Sequence, residues 1–200
     1  MSSLRAYEEH DLGLSWIMDE AMTRTSHALV DDSRVWLIDP VDTADAIDRA
    51  TALGEPAGVI QLLDRHQRDN AAVAQRLGVP HHNLPTELPG APFEPIQIMS
   101  GRFWKEVTLW WPERQALIVA EQVGTNRMYT AGASAVGVHI FLRAAFVPRK
   151  LAGYRPRHLL VGHGAGVHGD AAAPALEEAI ARSRRDLPLA LLKMPTALRG

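Results

Sequence analysis

Leu62-Leu63-Asp64-Arg65-His66-Gln67-Arg68-Asp69, with Asn70 to Leu77 and then Gly78-Val79-Pro80-His81 behind it, is the stretch on which the fold turns. Ala57 to Leu63 is a short apolar run after Pro56, the pattern of a buried strand. The polar hexapeptide Asp64 to Asp69 ends it. Asn70 to Leu77 then reads as a helix, stopped by Gly78 and Pro80. Asp64 and His66 alternate, so on an extended segment their side chains point the same way. Oxygen and imidazole donors at this spacing suit a hard or borderline divalent ion. On these residues alone a polar loop in which Asp69 caps the helix is favoured, since capping aspartates outnumber ligands.

Upstream, Leu12 to Met18 is apolar, and Ser26 to Val30 and Arg34 to Asp39 read as a hairpin joined by Asp31-Asp32-Ser33. Thr43 to Leu53 changes to helical spacing, with Ala46, Ile47, Ala50 and Leu53 on one side, Asp42 or Thr43 as cap and Gly54 as stop. Downstream, the proline-rich stretch from His81 to Pro95 predicts an irregular connection. Glu94 to Met99, Glu106 to Trp111 and Gln115 to Ala120 read as strands. Gly124 to Gly137 carries no assignable period, and Val138 to Phe146 has helical character. Arg157 to Val161 is a last short strand, followed by the glycine loop Gly162 to Gly169 and a helix from Ala171 to Arg185. Strands preceding helices in both halves, with antiparallel strands between, predict a layered α/β arrangement. Chemistry then gathers beyond the strand ends, where Asp64 to Asp69 and Gly162 to Gly169 lie.

Composition narrows the function classes. The 200 residues suit a single domain spanning 1–200, large enough to bury about 70% of its unfolded surface. Twenty-one basic against 23 acidic residues leave a net charge of −2, which offers no footprint for nucleic acid or an anionic membrane. The absence of cysteine excludes disulfides, Cys-ligated zinc and thiol nucleophiles. No run reaches the 18 or so apolar residues of a membrane span, and Met1-Ser2-Ser3-Leu4-Arg5 does not open a signal peptide, so a cytoplasmic location is expected. Gly164-Ala165-Gly166-Val167-His168-Gly169 formally matches G-x-G-x-x-G, but too little chain follows for a dinucleotide-binding unit. The glycines instead allow close backbone approach around His163. His139 reads as core, and His10, His27 and His158 have no acidic or histidine companion at a useful spacing. The five tryptophans read as core or interface.

The order of these segments resembles the metallo-β-lactamase superfamily, in which H-x-H-x-D-H follows a strand and precedes a helix and a small-residue, proline-containing turn. Val35-Trp36-Leu37-Ile38-Asp39 is similar to that family's strand ending in aspartate. Met99 to Pro112 is similar to the region of its third histidine, Ala116 to Glu121 to the strand ending in the bridging aspartate, and Leu160-Val161-Gly162-His163-Gly164 to its closing G-H segment. The resemblance covers roughly residues 12 to 185. It implies an αββα sandwich of two mixed β-sheets flanked by helices, with the site at one edge.

Carried over by position, the first motif histidine is Asp64 and the second is His66. The motif's aspartate becomes Arg68 and its last histidine Asp69. The third histidine falls near Arg102, the bridging aspartate is Glu121 and the final histidine is His163. A guanidinium cannot coordinate metal, and a permanent charge about 4 Å from a dication repels it by several kcal/mol even at an effective dielectric of 20. The resemblance therefore implies a divergent member without the dinuclear zinc site and without a cofactor, non-catalytic, with Arg68 and Arg102 pairing with Asp64, Asp69 or Glu121 where zinc would sit. The alternative keeps one zinc, iron or manganese ion on some of Asp64, His66, Asp69, Glu121 and His163, hydrolyses a small ester, amide or lactone, and uses Arg68 and Arg102 to hold a small anionic molecule. A second alternative is a small-molecule or protein binding module, for which exposed Trp104, Trp110 or Trp111 would speak.

Overall fold

The computed structural model describes residues 3–43, 45–131 and 134–197. The chain opens with β1 (Ser3–His10), β2 (Gly13–Asp19), β3 (Thr25–Asp31) and β4 (Arg34–Ile38), an antiparallel meander. α1 (Ala46–Thr51) crosses to β5 (Glu55–Gln61) and α2 (Asn70–Leu77) to β6 (His81–Asn83), and these two strands pair in parallel. The result is a six-stranded sheet in sequence order.

A second sheet follows. β7 (Glu94–Gly101), β8 (Trp104–Trp111) and β9 (Ala116–Val119) run antiparallel. β10 (Val123–Gly124), α3 (Arg127–Thr130) and β11 (Gly137–Val138) make a small excursion with its own two-stranded ladder. β12 (His158–Val161) returns parallel to β9, and β13 (Val167–His168) adds an antiparallel edge, giving the order β13-β12-β9-β8-β7. α4 (Ala172–Arg182) packs on β12, and α5 (Leu187–Ala197) lies against α3.

Period-two alternation sorts the core into two layers. On β4, Val35 and Leu37 face α1 and α2 together with Val59, Val73 and Ile47, while Trp36 and Ile38 face the second sheet with Ile60, Leu109 and Trp111. The inner strands β9 and β12 are buried on both faces, with Leu176, Ala179 and Ile180 of α4 on the side away from the first sheet, whereas β7 at the edge is largely exposed. This is the αββα arrangement of two mixed sheets flanked by helices.

The hairpin at Asp31-Asp32-Ser33 and the helix Asn70 to Leu77 lie where the sequence puts them, and Gly78 ends the latter at φ +67°. Other expectations are corrected. Val138 to Phe146 is not an α-helix: Arg143, buried, donates to the carbonyls of Tyr129 and Val138, and only a single 3₁₀ turn, Ile140–Leu142, forms. His81 to Pro95 contains the short strand β6. The unassigned Gly124 to Gly137 segment contains β10, α3 and β11, with Gly132 and Ala133 outside the described residues; Asn126 caps α3 by accepting from Met128 and Tyr129. α1 starts at Ala46, and neither Asp42 nor Thr43 caps it. Among the described residues no helix is long and apolar enough to cross a membrane.

Candidate functional site

The two sheets meet through backbone at two isolated bridges, Arg24 with His163 and Leu63 with Glu106. The candidate site sits between them. The loop after β5 is folded back by Asn70, fully buried, whose Nδ2 donates to the carbonyls of His66 (2.6 Å) and Gln67 (2.8 Å). His66 thereby turns inward, 7% exposed, and His163 meets it from the loop after β12, 3% exposed. Gly162 allows this approach, because a Cβ there would lie 2.3 Å from the Ala120 carbonyl oxygen and 3.2 Å from His66 Cε1. Gly164 adopts φ +101°, which L side chains avoid.

Ligand atoms of His66, Glu121 and His163 lie within 4.8 Å of one another, the one such group among the described residues. His66 Nδ1 is 2.9 Å from Asp39 Oδ2, and Asp39 Oδ1 accepts from Leu62 N. His163 Nδ1 is 3.0 Å from the Met22 carbonyl oxygen. A carbonyl and a carboxylate can only accept, so both histidines carry their proton on Nδ1. The two Nε2 atoms, 3.3 Å apart, then present lone pairs to each other. Burial lowers the pKa of His66, with the Arg68 charge adding to it. Burial, then His66 and Arg68, hold His163 well below the usual imidazole range. Both rings are neutral at ordinary pH, so no shared proton joins them. Two nitrogen donors at about 2.0–2.1 Å from a tetrahedral ion lie about 3.3–3.4 Å apart, which matches the observed separation.

The flanking groups hold Glu121. Arg65 Nη2 donates to its Oε2 at 2.7 Å while the guanidinium lies 4.3 Å over the Trp104 ring, and His139 Nε2 is 3.9 Å from Oε1. Glu106, fully buried, accepts from Glu121 N and Gln122 N with Oε1 and from Trp104 Nε1 with Oε2. Burial pushes its carboxyl up to about 7 against those three bonds. Tyr129 stacks on His163 at 5.7 Å. An open cavity of about 500 Å³ lies beside the two histidines, lined also by Arg24, Arg65 and Arg68 with Glu20 and Glu121.

The remaining sequence candidates go elsewhere. Asp64 Oδ2 accepts from Lys105 N at 3.2 Å, and Asp69 Oδ2 from Asp42 N at 2.8 Å; Asp69 holds the N-cap position of α2 without a side-chain cap bond. Arg102 is exposed on the β7–β8 turn, over the neighbouring Phe103 ring. Arg68 lines the cavity but pairs with none of the expected carboxylates. Its guanidinium donates to the carbonyls of Thr25 (2.6 Å), Asp39 (2.8 Å) and Gly162 (3.1 Å), tying three strand ends together. Its backbone takes φ +38°, a cost of about 1–2 kcal/mol for a non-glycine residue, which those bonds offset. The arginine paired with Glu121 is Arg65. Trp16, Trp36, Trp104 and Trp111 are all 9% exposed or less, and Trp110 packs on Tyr154, so the tryptophans belong to the core.

No family sequence model matches the chain, and no curated protein sequence does. Solved structures do. DIM-1 metallo-beta-lactamase is 13% identical, with 90% of this chain and 98% of that one covered at a TM-score of 0.58. VMB-1 is 11% identical over 96% and 98%, TM-score 0.56, and a metallo beta lactamase from Erythrobacter litoralis 10% identical over 90% and 96%, TM-score 0.55.

This chain has the metallo-β-lactamase fold.

Within the metallo-β-lactamase fold, His66, Glu121 and His163 are the three of the five sequence-expected metal candidates whose ligand atoms come together. Asp39, at the end of β4 as that resemblance requires, is the residue that fixes the His66 tautomer, although sequence reading did not place it in the site. Its signal was the change from apolar alternation to a lone acid before Pro40. Arg65, Glu106 and Asn70 carried no comparable signal, because their roles depend on contacts across the seam.

Proposed function

We propose that this protein is a divergent metallo-β-lactamase-fold hydrolase that takes a single divalent ion on His66, Glu121 and His163 and acts on a small anionic ester, amide or lactone. One observation carries the reading: two buried, neutral imidazoles aim unprotonated Nε2 atoms at each other across 3.3 Å, with both Nδ1 atoms committed to acceptors. A cation between them satisfies both lone pairs. Two histidines and one glutamate leave a tetrahedral ion an open position, the donor set of hydrolytic rather than structural sites. The second ion of a dinuclear centre does not fit. Of the residues that would serve it, Asp64 and Asp69 are bonded to backbone elsewhere and Arg68 brings a positive charge.

When bound, such an ion supplies Lewis acidity toward a carbonyl and acidifies water. The chain's own groups do the rest. Asp39 and the Met22 carbonyl orient the imidazoles, Arg65 and Glu106 position Glu121, and the Arg68 guanidinium at the cavity wall attracts an anionic substrate. A second reading rests on that same guanidinium. Its charge opposes a dication in the one cavity they share, which favours a non-catalytic protein that binds a small anion without metal. Thermal melting with zinc or manganese separates the two. The hydrolase reading expects a rise of the midpoint with added ion, since a ligand of the native state stabilises by mass action, and loss of that rise in His66→Ala. No rise with either ion leaves the metal-free reading.

A further inference from the structure

Four histidines scattered through the sequence, His10, His27, His158 and His168, gather near the other end of the loop that carries His163. His10, His27 and His158 have no companion at a useful spacing along the chain, and the fold supplies companions from distant strands. His10 Nε2 lies 2.9 Å from Ser15 Oγ, which lies 2.7 Å from His27 Nδ1. The His10 and His168 rings are 5.1 Å apart. His158 and His168 are ladder partners across β12–β13, with Nδ1 atoms 2.9 Å apart. His10 Nδ1 and His168 Nε2 are buried and have no hydrogen-bond partner among the described residues, and buried His27 is held by Ser15 and by the Val161 backbone.

Little negative charge faces this cluster. Asp11 Oδ2 lies 3.6 Å from His158 Nε2 with its side chain 69% exposed. The Glu8 carboxylate is occupied by Gly166 N at 3.0 Å. Arg114 and Arg157 act on His158, and on His27 the Arg68 charge outweighs that of Asp39, which already serves His66. The cluster also lies at a mechanical joint. The loop from Gly162 to His168 is stapled to the first sheet by Thr25 N to the Gly162 carbonyl (2.8 Å), by Gly164 N to the Thr23 carbonyl (2.9 Å), and by the Glu8 and His10 contacts at its far end.

We propose that the four-histidine cluster is an acid-sensitive latch, in which proton uptake separates the β1–β2 hairpin from β13 and loosens the loop that positions His163. Burial, with the neighbouring imidazoles, lowers His10 to about 4; burial and the His10 charge lower His27 to about 3; burial lowers His158. Opening returns these three rings, His10, His27 and His158, to the ordinary imidazole value of about 6.5. The closed form is therefore fully favoured above that value and loses ground as pH falls from it toward the closed-state values. Each such histidine makes opening about tenfold easier per pH unit over that range.

Hydrogen–deuterium exchange on the full chain, corrected for intrinsic exchange and run with a chelator, tests this. Between about pH 6.5 and pH 5, peptides covering residues 3–19 and 162–169 should lose at least about tenfold in protection while those from β8 and β9 hold theirs. His10→Gln, whose amide still reaches Ser15 Oγ, and His158→Gln, on the opposite element, should each recover about tenfold of that loss. The latch is overturned if the hairpin and loop stay protected at the lower pH, if both variants open as the wild type does, or if β8 and β9 open in step with them. Because backbone opening is read in the absence of ions, failure of ion binding leaves the result untouched.

Discussion

Replacing Asp39 by asparagine isolates the feature on which the site depends. Asp39→Asn keeps the shape of the side chain, and asparagine tolerates the φ of +44° found there. The oxygen that accepts from Leu62 N can remain, but an amide NH₂ then faces His66 Nδ1, which must give up its proton and become an acceptor. The proton moves to Nε2, which is 3.3 Å from His163 Nε2 and can donate to it. With an ion absent, the lone-pair opposition becomes a hydrogen bond worth about 1 kcal/mol. The Arg68 guanidinium meanwhile loses the attraction of the buried carboxylate. These effects oppose each other, so the ion-free melting midpoint should stay within about 2–4 °C of the wild type. Ion binding has no such compensation. A protonated Nε2 is not a ligand, and loss of the partner that orients a metal-binding histidine costs about 10–100-fold in affinity, or about 1.4–2.8 kcal/mol. Calorimetric zinc titration beside melting in chelator measures both. Unchanged zinc affinity, or collapse of the ion-free protein, would refute the tautomer reasoning.

Two further outcomes are expected. Gly162→Ala places a Cβ 2.3 Å from the Ala120 carbonyl oxygen and should cost about 2–3 kcal/mol, read as a lowered midpoint in chemical denaturation; a midpoint within error of the wild type would show that the strand ends can part freely. The Glu106 carboxyl should titrate near 7 by carbon-13 NMR. Because the folded protein favours its protonated form, the stability this group contributes is present below about 4.5 and is lost as pH rises through about 7. Titration at the ordinary glutamate position would show that its three donors outweigh its burial.

The elements legible in sequence were those whose own residues carry the packing pattern. Trp36 and Ile38 alternate with Val35 and Leu37 between two cores, and Asn70 to Leu77 ends on a left-handed glycine. β1 escaped notice because its two core-facing residues, Leu4 and Tyr7, are thrown out of period-two spacing by a bulge between Leu4 and Ala6, in a segment otherwise mostly polar. The region from 124 to 146 escaped because side chains hold it from a distance, as Arg143 holds the Tyr129 and Val138 carbonyls. In the site, His66 and His163 followed from motif order, whereas Asp64 and Asp69 did not join them: backbone amides of Lys105 and Asp42 hold their carboxylates. The histidine cluster brings together residues more than a hundred positions apart, a proximity set by the bonds that join the 162–168 loop to the first sheet and that no local spacing encodes.

The six-stranded sheet takes all its strands from residues 3–83, and the five-stranded sheet takes all of its strands from residues 94–168. His66 belongs to the first stretch, Glu121 and His163 to the second. A single cut at the exposed Pro89–Gly90 tip would send the two nitrogen donors into different fragments, and on the proposed single-ion reading neither fragment would bind the ion alone. Zinc uptake on mixing the halves would then serve as a built-in gauge of complementation, reporting that the two layers have found each other again.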